Sequence, residues 1–388
     1  MANGLFAGGT GTELNPYLIE DAFDLDAVRN NLTAHYKLIK NIDLNTSPFN
    51  QGEGWVPIGD NSTDSIASRF RGTFDGNNYV IKNLYINRPS IIRQGLFGYT
   101  EVSTIKNIGV KDVNITGSSN TGGLVGYNYN SSIINSYSTG SVTGIVSGTG
   151  GLVGNNYRSS IINSYFTGSV TGSNNGTGGL VGYNQYSSII KNSYSTGSVT
   201  GAGYTGGLVG NNQNSSVIEN SYSTGSVTGS FSTGGLVGNN SSSSVINSYW
   251  DIETSGRTTS AGGVGKTTAE MQTPSTFIGW ENETLDDGTL IWILKEGEYP
   301  KLWFDVQNKV LIRKTDIPYV YYSTNTSTIS QLNGVSEQNF INYGIDSPVQ
   351  FDGVFTNKNY ILQDGISENE NGYWTTKLDR KPLSIKFE

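Results

Sequence analysis

The tetrapeptide Gly-Leu-Val/Phe-Gly begins at Gly95, Gly123, Gly151, Gly179, Gly207 and Gly235, so successive starts are always 28 residues apart. Around it a longer text recurs: Gly-Gly-Leu-Val-Gly, an Asn, a Ser-rich step, an Ile/Val pair, Asn-Ser-Tyr, then Ser/Phe-Thr-Gly-Ser-Val-Thr-Gly. Self-similarity at this period is the mark of a solenoid in which each unit is one coil. Helical repeats are excluded, because a helix interior loses about 1 kcal/mol for each Gly in place of Ala. Short strands of β-branched residues broken by Gly and Asn turns remain. The expected fold is all-β: a parallel β-solenoid, or β-helix, with three short strands per 28-residue coil. At about 4.8 Å per rung, six coils span about 25–30 Å.

Stacking places equal positions above one another, so columns can be read directly. Leu124, Leu152, Leu180, Leu208 and Leu236 are expected to form an apolar ladder inside, with Val142, Val170, Val199 and Val227 as a second. Asn128, Asn156, Asn184, Asn212 and Asn240 also recur at 28, and a buried amide column hydrogen-bonds along a stack as amides do in cross-β assemblies. A further column, Asn135, Asn163, Asn192, Asn220 and Asn247, precedes the tyrosines Tyr137, Tyr165, Tyr194, Tyr222 and Tyr249, whose rings stack either inside or outside the coil. The coils starting at Gly179 and Gly207 carry one extra residue before Asn-Ser-Tyr, which is either a bulge or a shifted Ile. In both cases Lys191 and Glu219 occupy one place on adjacent rungs, an expected exposed ion pair contributing about 0–1 kcal/mol.

A solenoid leaves unpaired strand edges at both ends, so caps are expected. Asp21 can cap a helix over Ala22 to Leu32 with Phe23, Leu25, Val28 and Leu32 on one apolar face. Residues 1–92 then read as this cap with irregular coils, 93–250 as the regular array, 251–304 as a closing cap holding Trp280, Trp292 and Trp303, and 305–388 as a small β domain. Alternating stretches at Lys309 to Arg313, Tyr319 to Tyr322, Val349 to Phe355 and Leu383 to Phe387 support the last.

Chemistry is sparse. With 14% charged residues, no cysteine and a single histidine, His35, few groups move protons or bind transition metals. No catalytic residue, cofactor site or metal site is assigned. The net charge of −8 without a basic run argues against nucleic acid, and no apolar stretch is long enough for membrane insertion by a helix. From Thr121 to Tyr249 the charged residues are Arg158, Lys191 and Glu219, so no carboxylate pair for glycoside hydrolysis exists there. Acids gather instead at Asp43, Glu53, Asp60, Asp64 and Asp75, and at Asp251, Glu253, Glu281, Glu283, Asp286 and Asp287, where solvated loops are the ordinary reading. Gly262-Gly-Val-Gly-Lys-Thr-Thr268 imitates a phosphate loop but has Ser260 where the first Gly belongs. Asp286-Asp-Gly288 offers oxygen ligands for calcium, without the Asp-containing nonapeptide repeat. Arrays of Tyr, Asn, Ser and Thr suit sugar binding by stacking and hydrogen bonding, or serve only as ladders holding the rod together.

The Gly-Leu-Val-Gly coils resemble the GLUG repeats of bacterial surface adhesins and of the non-catalytic part of certain IgA-cleaving proteases. So do Gly11-Thr-Glu-Leu-Asn-Pro-Tyr-Leu-Ile19, Gly72-Thr-Phe-Asp-Gly76, Ser260 to Met271 and Glu296-Gly-Glu-Tyr-Pro300, a likeness covering residues 8–304. Leu332-Asn-Gly-Val-Ser-Glu-Gln-Asn-Phe-Ile-Asn-Tyr-Gly-Ile345 resembles a segment of tail and fibre proteins of phages of Gram-positive hosts. The first residues show neither a basic start nor an apolar run, and no wall anchor ends the chain. The resulting expectation is a non-enzymatic structural or adhesive protein of a phage virion, assembled in the host cytoplasm and contacting other virion proteins or a host-surface glycan or protein. The alternative is a bacterial cell-surface adhesin module, and the lesser one a glycan-degrading tailspike. The oligomeric state, including a homo-oligomer, is left open.

Overall fold

In the computed structural model, residues 6–60, 65–286 and 288–304 are described, together with five short strands beyond them. The chain divides into two compact units: residues 1–278 with 294–300, and residues 279–293 with 301–388.

The first unit is a three-sided parallel β-solenoid. Each regular coil contributes one strand to each side, as in Val125–Tyr129, Ser132–Ile134 and Tyr137–Gly144. Stacked coils build a six-stranded, a nine-stranded and a thirteen-stranded sheet among the described residues. Register follows the 28-residue period: Val125 pairs with Val153, Val153 with Val181, Val181 with Val209, and Val209 with Val237.

The interior is dry and layered. Leu124, Leu152, Leu180, Leu208 and Leu236 are fully buried, as are the adjacent valines 125 to 237, while Val142, Val170, Val199 and Val227 close the third side. Each such side chain contributes about 1.5–3 kcal/mol on removal from water. In the first coils aromatic rings replace the aliphatic layers: Phe70 meets Phe97 at 4.9 Å, and Phe74 meets Phe97 at 5.3 Å edge to face.

The equal spacing of the glycines conceals a compensated pair of changes. The extra residue of the coils from Gly179 and Gly207 enters at a corner, where Tyr186 and Ser187, and Asn214 and Ser215, take two successive left-handed conformations instead of one. Ile190 and Ile218 therefore stay in the buried column of Ile133 and Ile161, and Ile189 takes the outer place of Ser160, 42% exposed. One residue is then lost at an outer loop, where Gly172 to Asn175 lies opposite Gly201 to Gly203.

Corners are made by Asn. Asn83, Asn107, Asn135, Asn163, Asn192, Asn220 and Asn247 all have φ between 43° and 60°, a left-handed backbone that Asn tolerates better than most residues.

At the amino-terminal end the α-helix is shorter than the sequence pattern suggests, Ala22–Ala27, followed by a 3-10 turn Val28–Asn30. Asp21 caps it, accepting from the N–H groups of Phe23 and Asp24 at 2.9 Å each. Leu25 and Val28 face the core, but Phe23 is 36% exposed and packs edge-on against Phe49 at 5.4 Å. Asn30 and Asn31 favour turns over helix, and the N–H of Asn31 closes back on Val28 at 3.2 Å.

The strand Val264–Lys266 pairs with Tyr249–Asp251 and extends the thirteen-stranded sheet beyond the last Gly-Leu-Val-Gly coil. Asp251 is buried and accepts four hydrogen bonds, from the N–H groups of Glu253 and Thr254 and the hydroxyls of Thr268 and Tyr299, at 2.6–3.0 Å. It thereby ties three separate pieces of chain to the last coil.

In the second unit Trp280 and Trp292 are buried and stack at 4.6 Å, beside the antiparallel pair Trp292–Ile293 with Lys301–Leu302. Val310–Arg313, Tyr321–Thr324 and Ile329–Leu332 form an antiparallel three-stranded sheet, and Tyr373–Thr376 pairs with Leu383–Lys386. Val349 to Phe355, Asp64, Asp287 and, apart from Leu332, the segment to Ile345 lie outside the described residues.

Candidate interaction face

The polar columns divide into those that bind the stack and those that face outward. Asn128 Nδ2 donates to Asn156 Oδ1 at 2.9 Å, Asn156 to Asn184 at 2.9 Å, Asn184 to Asn212 at 2.8 Å and Asn212 to Asn240 at 2.9 Å, and the Thr100 hydroxyl donates to Asn128 Oδ1 at 2.7 Å. Of the amides, Asn128 to Asn212 are buried and Asn240 is partly open. Lys191 and Glu219 lie 3.5 Å apart, each about one-third exposed, so the pair is more shielded than a surface position implies.

Two serine ladders run beside these and escape a reading of the repeat that sees only Ser-rich composition. The N–H of Ser131 donates to the Ser159 hydroxyl, Ser159 to Ser188 and Ser188 to Ser216, at 3.0–3.2 Å, while each hydroxyl donates to a carbonyl of its own coil. The serines of Asn-Ser-Tyr repeat the pattern: Ser136 to Ser164, Ser164 to Ser193, Ser193 to Ser221 and Ser221 to Ser248. Their recurrence at the period is visible in sequence, but their role depends on corners where strand hydrogen bonding lapses.

The tyrosine column turns its rings away from the coil interior, since the next residue, Ser138, Phe166, Ser195, Ser223 or Trp250, points inward at the first glycine of its own coil's tetrapeptide. Tyr137, Tyr165, Tyr194 and Tyr222 stack nearly parallel at 4.7–4.9 Å. Tyr222 donates to the carbonyl of Pro300 at 2.5 Å and Tyr249 meets Phe277 edge-on at 5.5 Å, so this end of the column is covered by its own chain.

The outer face of the six-stranded sheet is different. One column reads Tyr99, Tyr127, Asn155, Tyr183, Asn211, Asn239, and the next Glu101, Tyr129, Tyr157, Gln185, Gln213, Ser241. The early coils present aromatics: Tyr99 stacks on Tyr127 at 4.9 Å, Tyr129 on Tyr157 at 5.4 Å, and Tyr157 lies 4.5 Å from Tyr186. Later coils present amides joined side by side: Gln185 to Asn155 at 2.9 Å, Gln213 to Gln185 at 2.8 Å and Asn239 to Asn211 at 2.9 Å.

Arginines border the aromatic end. Arg69 lies 4.6 Å above the Tyr99 ring, Arg93 is 5.1 Å from Tyr99 and 5.7 Å from Tyr127, and Arg158 is 5.6 Å from Tyr157. Glu101 sits between Arg69 and Arg71, at 3.4 and 4.0 Å. Burial pushes the Tyr99, Tyr127 and Tyr183 hydroxyls above the ordinary phenol range, and the Tyr183 hydroxyl donates to the Asn175 carbonyl at 3.1 Å.

Elsewhere the chemistry is structural. The phosphate-loop look-alike folds as the strand Val264–Lys266 and the four-residue helix Thr268–Met271, with Thr267 and Glu270 forming a reciprocal cap and Lys266 bonded to Glu270. His35 lines a shallow hollow with Glu13, Lys37, Asp75 and Lys106. Asp75 is engaged by the N–H of Asn77 and by Asn107, and Asp43 by Asn83 and the N–H of Asn45, which holds the Asp43 carboxyl below its usual range. No cluster of three metal-ligating side chains occurs, and no helix is long and apolar enough to cross a membrane, among the described residues.

Residues 117–143, 146–171, 173–200 and 201–228 match the GLUG motif. A protein of Evansella cellulosilytica described as a "Putative Gly-rich membrane protein" is 43% identical over 131 residues, covering 32% of this chain and 15% of that protein. Halomucin of Haloquadratum walsbyi is 35% identical over 143 residues, 35% of this chain and 2% of its own length. The chain thus spans a small part of either relative. A solved structure described as a "putative immunoglobulin A1 protease from Bacteroides ovatus" superposes with a TM-score of 0.59 at 22% identity, over 78% of this chain and 98% of that one, a likeness of fold. Motif, register and superposition agree that the chain is a parallel β-solenoid built on GLUG repeats.

Proposed function

We propose that the chain is a non-enzymatic adhesive module of a cell surface. The observation that carries this reading is the division of labour among its polar residues. The buried Asn and Ser ladders are used up in holding rungs together, while the outer face of the six-stranded sheet leaves Tyr127, Tyr129, Tyr157, Gln185 and Gln213 partly open to a partner. The names of the two relatives, a membrane protein and a halomucin, agree with a surface location. The virion reading rests on the resemblance at Leu332 to Ile345 and is the second candidate. Antibodies against the regular coils, applied to intact source cells and to purified phage particles from the same culture, separate the two. Label on cells supports the surface module, and label confined to particles replaces it with a virion component.

A further inference from the structure

We infer that the aromatic end of the six-stranded sheet binds an acidic polysaccharide, laid along the stack across the rungs of Tyr99, Tyr127, Tyr129, Tyr157 and Tyr186. This rests on the adhesive reading above and names its ligand class.

Tyr127, Tyr129 and Tyr157 are partly open and Tyr186 is exposed, with Tyr99 buried at the end of the row, on rungs that recur at about 4.8 Å, close to the length of one pyranose unit. An aromatic face stacks on the apolar C–H face of a sugar ring while its hydroxyl donates or accepts at the rim. Gln185 and Gln213, both partly open, continue the column of Tyr129 and Tyr157 and bring amide groups within reach of sugar hydroxyls.

Charge sets the class. The chain carries a net charge of −8, yet guanidinium groups ring this patch. Arg93 and Arg158 have no carboxylate partner among the described residues, and Arg93 Nε is buried without a hydrogen-bond partner. Arg69 and Arg71 share Glu101, and the backbone of Asp60 lies against Gly98. Arg158 has φ 51° at a corner where the flanking rungs place Asn130 on one side and Tyr186 with Ser187 on the other, and Arg93 has φ 62° where later coils place Asn120 and Gly148. A long guanidinium held in a left-handed corner, over a ring and with no carboxylate partner among the described residues, is suited to a planar carboxylate such as that of a uronic acid.

The test is binding of the full chain to immobilised alginate, with dextran as the neutral polymer and polyglutamate as the acidic polypeptide. Arg93→Asn and Arg158→Asn suit their left-handed positions, and Lys40→Ala, which removes an equal charge from the pair with Glu20, is the control. The expected result is alginate binding that weakens with salt, falls roughly tenfold per arginine removed, and is unchanged in Lys40→Ala. Equal binding to dextran or polyglutamate, or arginine variants that bind as the parent does, overturns the assignment. If the chain attaches to source cells but not to alginate, the saccharide class is wrong and the adhesive reading stands; if it does neither, both fall.

Discussion

Replacing Asn184 with Ala tests whether the buried amide ladder stabilises the stack. Asn184 accepts from Asn156 at 2.9 Å and donates to Asn212 at 2.8 Å, and its amide nitrogen also reaches the Ser188 carbonyl at 3.5 Å. Alanine removes the two ladder bonds, each a net contribution of about 1 kcal/mol. The broken partners then differ. Asn156 Nδ2 keeps the Ser159 carbonyl at 3.1 Å, whereas Asn212 Oδ1 loses the donor the ladder gave it in a fully buried site. An orphaned buried acceptor adds about 1–3 kcal/mol, so the total is about 3–5 kcal/mol. Asn240→Ala is the internal reference, because Asn240 ends the ladder in a partly open position and Asn212 Nδ2 retains the Ser244 carbonyl at 3.4 Å. Its expected cost is about 1 kcal/mol. Urea unfolding by far-ultraviolet circular dichroism gives the two differences, and hydrogen exchange in Val181–Gln185 locates the first, since stacked coils lose stability rung by rung. Equal costs at the two positions would show that the ladder merely fills space.

Three further outcomes follow from the packing. Leu180→Ala empties a fully buried site between Leu152 and Leu208 and is expected to cost about 2–5 kcal/mol in the same urea measurement; a loss under about 1 kcal/mol would mean that the coils collapse into the gap. Gly182→Ala places a methyl 2.5 Å from the Gly154 carbonyl oxygen and 2.6 Å from the Gly148 carbonyl carbon, backbone against backbone, so soluble yield and melting temperature fall sharply, whereas Gly256→Ala, with open space around it, carries only the strain of its left-handed φ of 64° and lowers the melting temperature less. Burial works to raise the Asp251 carboxyl, but its hydrogen bonds from Tyr299, Thr254, Thr268 and Glu253 outweigh it and hold the group below the usual range. The lowered value means that this contribution is present above the unfolded carboxylate pKa of about 3.9 and is lost as pH falls through the folded value. Protection against hydrogen exchange in the strand Val264–Lys266, taken relative to the intrinsic amide rate at each pH, should therefore fall at acid pH in the parent and lose that pH dependence in Asp251→Asn.

Much of the solenoid is legible because stacking converts a sequence period into a spatial column. Once coils repeat at 28, Leu180 lies between Leu152 and Leu208 whatever the details of each turn, and Asn184 lies between Asn156 and Asn212. The helix over Ala22 to Leu32 was less legible, because apolar spacing fixes which residues can face inward and not where Asn30 and Asn31 turn the chain. The serine ladders and the left-handed asparagines were hidden for a related reason. Their roles arise at corners, where φ and the direction of an N–H depend on the path between sides and not on hydrophobic pattern.

The candidate face shows the limit most clearly. Tyr129 and Tyr157 recur at 28, but Arg69, Arg93 and Arg158 follow no common period, so nothing in the chain's text places these arginines beside the tyrosines. The sequence by itself determined the architecture, the coil length, the inward Leu and Val columns and the near absence of titratable groups from the regular array, because these depend on composition and recurrence alone. Only the tertiary structure decided which side of each coil a tyrosine takes, where inserted residues are absorbed and which arginines stand over which rings. Those outcomes depend on winding the chain around a closed cross-section, which brings together positions that no repeat unit contains.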